Sequence, residues 1–116
     1  MTHVAQVLTG VVAALHVYFL ILEMFLWATP FGAKTFARPL EEMQQTKALA
    51  ANQGLYNGFL AAGLVWSLAT GAQDTRVFFL VCVIVAGLFG AVTASRKILF
   101  VQALPAAVAL TATLLG

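Results

Sequence analysis

Charge is what this chain has least of: six Lys or Arg and four Asp or Glu make up 9% of 116 residues, where a water-soluble domain carries about a quarter. With so little charge, and with the basic residues scattered through short connecting segments, the chain has no patch or helix face suited to nucleic acid. The single cysteine, Cys82, excludes a disulfide framework or a Cys-rich metal centre within one chain. It sits in Phe-Leu-Val-Cys-Val-Ile-Val and reads as a small buried or lipid-facing hydrophobe. The N-terminus, Met-Thr-His-Val-Ala-Gln, lacks the basic stretch of a secretory signal, and the apolar run behind it is too long for one. It reads as a retained first span.

What is present is hydrocarbon: 62% of the residues are hydrophobic. A bilayer core needs roughly 20 apolar residues of helix. Runs at about 4–29, 48–70, 77–94 and 98–115 meet that need. The short turns 71–76 and 95–97 leave room only for antiparallel neighbours. The expected fold is therefore all-α, with residues 1–116 forming one integral-membrane, antiparallel four-helix bundle. Lys34, Arg38, Lys47, Arg96 and Lys97 fall in the first and third connections and only Arg76 in the second. Five against one places those two connections in the cytoplasm and both termini outside it, as in a multi-pass protein of a bacterial inner membrane. In connector 30–47, Phe31, Phe36, Leu40 and Met43 alternate with Lys34, Arg38, Glu41 and Glu42, the pattern of a short amphipathic helix in the headgroup zone.

Small residues recur every four positions at Gly54, Gly58 and Ala62 and again at Ala86, Gly90 and Ala94, predicting close helix contacts. Four short spans bury little surface, so a homo-oligomer in membrane lipid is expected.

Polar residues inside these runs carry the functional reading. Hydrocarbon offers no hydrogen bonds, so each polar group needs a protein partner, a ligand or water. His16 and Glu23 are seven residues apart and share a helix face to within about 20°. Glu23 lies about 10 Å inside the end marked by Pro30. On the second span, Gln53 and Asn57 share one face, and Asn52 and Tyr56 the adjoining one. Counting inward from Lys47, all four reach the depth of Glu23, as does Gln102 counted from Arg96 and Lys97. Pro105 frees a backbone carbonyl nearby. A pocket in the cytoplasmic half is expected, lined by Glu23, Asn52, Gln53, Tyr56, Asn57 and Gln102, with Arg96 and Lys97 at its mouth. A lone carboxyl there needs a proton or a cation such as Arg96. One His and one Glu fall short of a metal's usual ligand count, so no metal is assigned. The alternative is that these groups only bind helix to helix.

The stretch from Leu15-His16 through Glu23 to Trp27, with Asn-Gln-Gly-Leu-Tyr-Asn-Gly at 52–58, resembles a family of small bacterial four-span membrane proteins of unknown function. The likeness covers nearly the whole chain and implies no activity. More distantly the chain resembles the membrane-associated proteins in eicosanoid and glutathione metabolism (MAPEG). Three segments carry this: Ala33 to Pro39, Asn52 with Phe59-Leu60 and Gly63 to Ser67, and Arg96 with Phe100, Gln102 and Leu104-Pro105. The resemblance implies a trimer of four-helix subunits and glutathione as a candidate cofactor, its thiolate stabilised by Arg96. That superfamily opens its second helix with charged anchors for glutathione's carboxylates. Here the matching residues are Lys47-Ala48-Leu49-Ala50-Ala51, and only Asn52 and Arg96 carry over.

Three functions fit these features. The first is a binding protein for a small amphipathic or lipid-like ligand, which as a glutathione-dependent relative would use Arg96, Glu23 and Tyr56 catalytically and Asn52, Gln53, Asn57 and Gln102 for binding. The second is a subunit of a proton-coupled transporter with a Glu23–His16 relay, and the third a non-catalytic scaffold. Whether the chain is an enzyme is left open by its residues. The topology itself is testable: reporters fused at the C-terminus should report an extracytoplasmic location, and cytoplasmic signals there would reverse the orientation.

Overall fold

Every regular element among residues 2–116, which the computed structural model describes, is helical. Helix α1 (His3–Ile21) runs directly into a π-helical turn, π1 (Leu22–Leu26). Two short helices follow, α2 (Pro30–Phe36) and α3 (Leu40–Gln45), then α4 (Lys47–Thr70) and α5 (Gln73–Thr93). A second π-helical turn, π2 (Leu99–Ala103), leads into α6 (Leu104–Leu115).

Both π-helical turns lie just ahead of a proline. Proline cannot donate to the carbonyl four residues back, which frees Leu26 before Pro30 and Val101 before Pro105. At π1 the loss is made good locally, since the Thr29 hydroxyl donates to the Leu26 carbonyl at 2.6 Å. The same Thr29 caps α2 by accepting from the Gly32 N–H at 3.2 Å, with Pro30 in the first turn where a missing N–H costs nothing. At π2 the Leu104 N–H reaches five residues back to the Leu99 carbonyl, the wider spacing that defines this turn.

Connector 30–47 forms two short helices where the alternating pattern predicts one. Ala37 adopts a left-handed conformation (φ 53°) that ends α2, and Pro39 holds the chain extended before α3. The Arg38–Glu42 ion pair across this break, 2.6 Å and exposed, contributes at most about 1 kcal/mol.

The chain forms two compact units, Met1–Leu15 with Leu60–Gly116, and His16–Phe59. The core of the first is Val12, Ala13, Leu64, Leu80, Val83, Ala106 and Ala109, with Leu8, Leu60 and Phe79 packed against it. Its buried stripe on α5 is Arg76, Leu80, Val83 and Gly87, spaced at helical intervals. On α5 the expected close contact is made at Gly90, against Ile98, and a second at Gly87, whereas the expected Ala86 is exposed. A Cβ on Gly87 would stand 2.8 Å from the Ala103 backbone nitrogen. Likewise Ala61 is buried on α4 whereas Ala62 is exposed. Arg76, which the charge pattern assigns to a connecting turn, lies in the first turn of α5 and is fully buried. Gly71 makes the tight α4–α5 turn with φ +70°, a conformation that favours glycine.

Two helical stretches, His3–Leu26 and Gln73–Thr93, are long and apolar enough to cross a membrane, and Leu99–Leu115 is a shorter apolar helix. The 24 residues of α4 have the length, but Lys47–Thr70 is not among those stretches, its first half holding Asn52, Gln53, Tyr56 and Asn57.

Gly87→Ala should lower stability by about 1–3 kcal/mol, because the backbone of Ala103 must move. Gly10→Ala, whose Cβ would meet nothing within 4 Å, should be neutral or gain up to about 1 kcal/mol in its helix. Thermal unfolding of the two variants checks both.

Candidate functional site

The unit His16–Phe59 brings Glu23 and Asn57 together across 34 residues of sequence, with the Asn57 side-chain amide donating to Glu23 Oε1. Two glycines make this possible. A Cβ on Gly54 would lie 2.6 Å from Met24 Cγ and 3.2 Å from Glu23 Cβ, and one on Gly58 would lie 2.8 Å from Leu20 Cδ1. Without side chains at 54 and 58, α4 approaches α1 and π1 closely enough for a short amide to reach a carboxyl. Asn57 is three residues beyond Gly54 and so on the same face. Glu23 belongs to π1, where the altered turn changes the direction in which successive side chains leave the helix. Such turns are frequent at functional sites.

Glu23 and Asn57 are half-buried, whereas Asn52, Gln53 and Tyr56 are exposed. The Tyr56 ring packs at 6.3 Å from Phe59. His16 is fully buried, with its ring edge-on to Phe19 at 5.2 Å. In the other unit, Gln102 is half-buried within π2, and Arg96 and Lys97 are exposed just before it. Both half-buried groups singled out on the apolar runs ahead of the prolines, Glu23 and Gln102, thus occupy π-helical turns.

Trp27 is a structural anchor that face counting does not reveal. Its indole N–H donates to Thr46 Oγ1 at 2.9 Å, and its ring meets Phe36 at 4.8 Å. The Thr46 hydroxyl is in turn 3.0 Å from the Glu42 carbonyl, which accepts its proton. These contacts tie connector 30–46 to the end of π1, and Met43 is completely buried. Met24, Phe25, Trp27, Ala28, Thr29 and Lys47 line a small open pocket. Aromatic, aliphatic and polar groups share its walls, with one ammonium group from Lys47. The only sequence signal for this pocket is an aromatic residue followed by a Thr-Pro capping pair.

Replacing Glu23 by Leu should leave the Asn57 amide without its acceptor and cost about 1–3 kcal/mol. A double-mutant cycle with Asn57→Leu, followed by thermal unfolding, should return a coupling of about 0.6–2 kcal/mol; additive losses would show that the two side chains do not interact.

Residues 10–114 match DUF1304, a family described as proteins of unknown function. A similar protein is the uncharacterized protein YpaA of Lactococcus lactis subsp. lactis (strain IL1403), 27% identical over 106 residues, which cover 88% of this chain and 89% of that protein. No solved structure matches the chain. The chain belongs to the DUF1304 family.

Proposed function

We propose that this DUF1304 protein is an integral membrane protein whose Glu23–Asn57 site binds a small amphipathic or lipid-like ligand in the cytoplasmic half of the bilayer. The observation that carries this is a carboxyl group in a π-helical turn whose Oε1 accepts from Asn57; the ligand's donor group takes the remaining oxygen. Helix-to-helix attachment alone needs neither a broken helical repeat nor an ionisable group. Asn52, Gln53 and Tyr56, on the same segment of α4, contact the polar part of the ligand, and the Trp27–Lys47 pocket takes one end of it.

Four spans, both termini outside the cytoplasm and a MAPEG-like bundle complete the picture. It draws support from the apolar helices His3–Leu26 and Gln73–Thr93 and from the many large exposed hydrophobic side chains, among them Phe25, Leu49, Phe78 and Phe89. Lipid, or neighbouring copies in a homotrimer, cover such a surface. In the glutathione-dependent version, Arg96 stabilises the thiolate, as a nearby cation stabilises that of cysteine, while Glu23 or Tyr56 moves a proton.

Native mass spectrometry of protein extracted in mild detergent should find a bound amphipathic molecule that Glu23→Ala loses, occupancy falling about tenfold for a 1.4 kcal/mol loss. Equal occupancy in both proteins, or none in the wild type, contradicts the site. Isothermal titration with glutathione separates the versions: binding that Arg96→Ala abolishes supports the enzymatic one, and no binding to either protein removes it.

A further inference from the structure

Arg76 is the largest fully buried side chain in the described structure. Its Nε, Nη1 and Nη2 are all enclosed, without a hydrogen-bond partner among the described residues. A guanidinium stays cationic in proteins and carries five N–H donors. Burying it unpaired is among the most expensive things a fold can do. Its own unit, Met1–Leu15 with Leu60–Gly116, contains one acidic residue, Asp74. That residue is exposed, and its Oδ1 accepts from the Thr75 N–H at 2.8 Å.

Two close contacts fix which groups share the level of Arg76. A Cβ on Gly63 would meet the Phe79 ring at 2.3 Å, and one on Gly87 would meet Ala103. From the first contact, Ser67 lies four residues along α4 and Arg76 three residues along α5, toward the same end. From the second, Arg76 lies eleven residues along α5 and Thr113 ten along π2 and α6, again toward that end. Ser67 and Thr113 are both buried. Their protons are already committed: Ser67 Oγ donates to the Leu64 carbonyl at 2.6 Å, and Thr113 Oγ1 to the Ala109 carbonyl at 2.8 Å. Each hydroxyl therefore has only lone pairs left to offer. By the same counting the C-terminal ends of α4 and α6 point toward that end of the unit, where their partial negative charge does not occupy the guanidinium donors.

We propose that Arg76, with Ser67 and Thr113, forms an oxyanion site whose ligand is a phosphate bearing two hydroxyl groups, either free dihydrogen phosphate or a glycerophospholipid headgroup such as that of phosphatidylglycerol. The guanidinium fork matches two phosphate oxygens. Ser67 and Thr113 accept from the O–H groups that such a ligand carries and a plain carboxylate lacks. This site is independent of Glu23 and belongs to the other unit.

The test uses the full chain in a phosphate-free maltoside detergent, with sodium phosphate, dihexanoyl-phosphatidylglycerol or sodium chloride at matched ionic strength as probes. Wild-type Tm should rise by about 5 °C with a phosphate probe and not with chloride. Arg76→Met should show no rise, and Arg76→Lys, a point charge without the fork, a smaller one. A rise with inorganic phosphate identifies the free anion, and a rise with the lipid alone identifies the headgroup. No rise in the wild type with either probe, or the same rise in Arg76→Met, overturns the site. Phosphorus NMR keeps this decisive where a variant misfolds, because probe lines left unbroadened by the wild-type protein also overturn it.

Discussion

A carboxyl group in a chain this apolar has to be met by a donor, and the geometry of the His16–Phe59 unit follows from meeting that demand at Glu23. The donor is the Asn57 amide, whose side chain is too short to bridge two helices packed at ordinary distance. Gly54 and Gly58 remove the side chains that would hold the helices apart. The hydrogen bond and the close contacts at the two glycines together set the register of α4 against π1. At the far end of the same unit, the Trp27–Thr46 hydrogen bond closes the connector. The site is thus held from two sides, by a polar contact on α4 and by an aromatic anchor on the connector.

Much of this was legible in the residues and some was not, for physical reasons that differ from place to place. The helices announce themselves through long apolar runs. Counting depth inward from Pro30 and Lys47 puts Glu23 level with Asn52, Gln53, Tyr56 and Asn57 but does not say which of them meets it; Asn57 does, while the other three are exposed. The π-helical turns were hidden: proline signals a missing donor, but whether the chain stops, kinks or widens its repeat depends on what else can satisfy the freed carbonyl. The four-residue rows hold at Gly54, Gly58 and Gly90, but Ala62 and Ala86 are exposed beside the buried Ala61 and Gly87. A four-residue spacing specifies a stripe, and only the larger side chains beside it, such as Leu64, Leu80 and Val83, decide which stripe turns inward. Arg76 reads as a turn residue because a charged group beside Gly71 and Asp74 looks solvated. Its position on the same stripe as Leu80 and Val83 is what marks it as buried.

The two units therefore pose opposite electrostatic problems. One holds an acid that the chain itself supplies with a donor; the other holds a cation without an acceptor among the described residues. A family defined by sequence and not by activity gives no guide to which matters more, since function resides in sites and not in folds.

The central claim, that the Asn57 amide is bonded to the Glu23 carboxyl, is measurable directly. In protein reconstituted in lipid bilayers, with the Asn57 side-chain nitrogen and the Glu23 carboxyl carbon isotopically labelled, solid-state NMR dipolar recoupling gives their separation. A hydrogen-bonded pair places these two atoms within about 4 Å. A separation well beyond that would show that α4 and π1 are not held together by this contact, and the proposed site would lose its foundation.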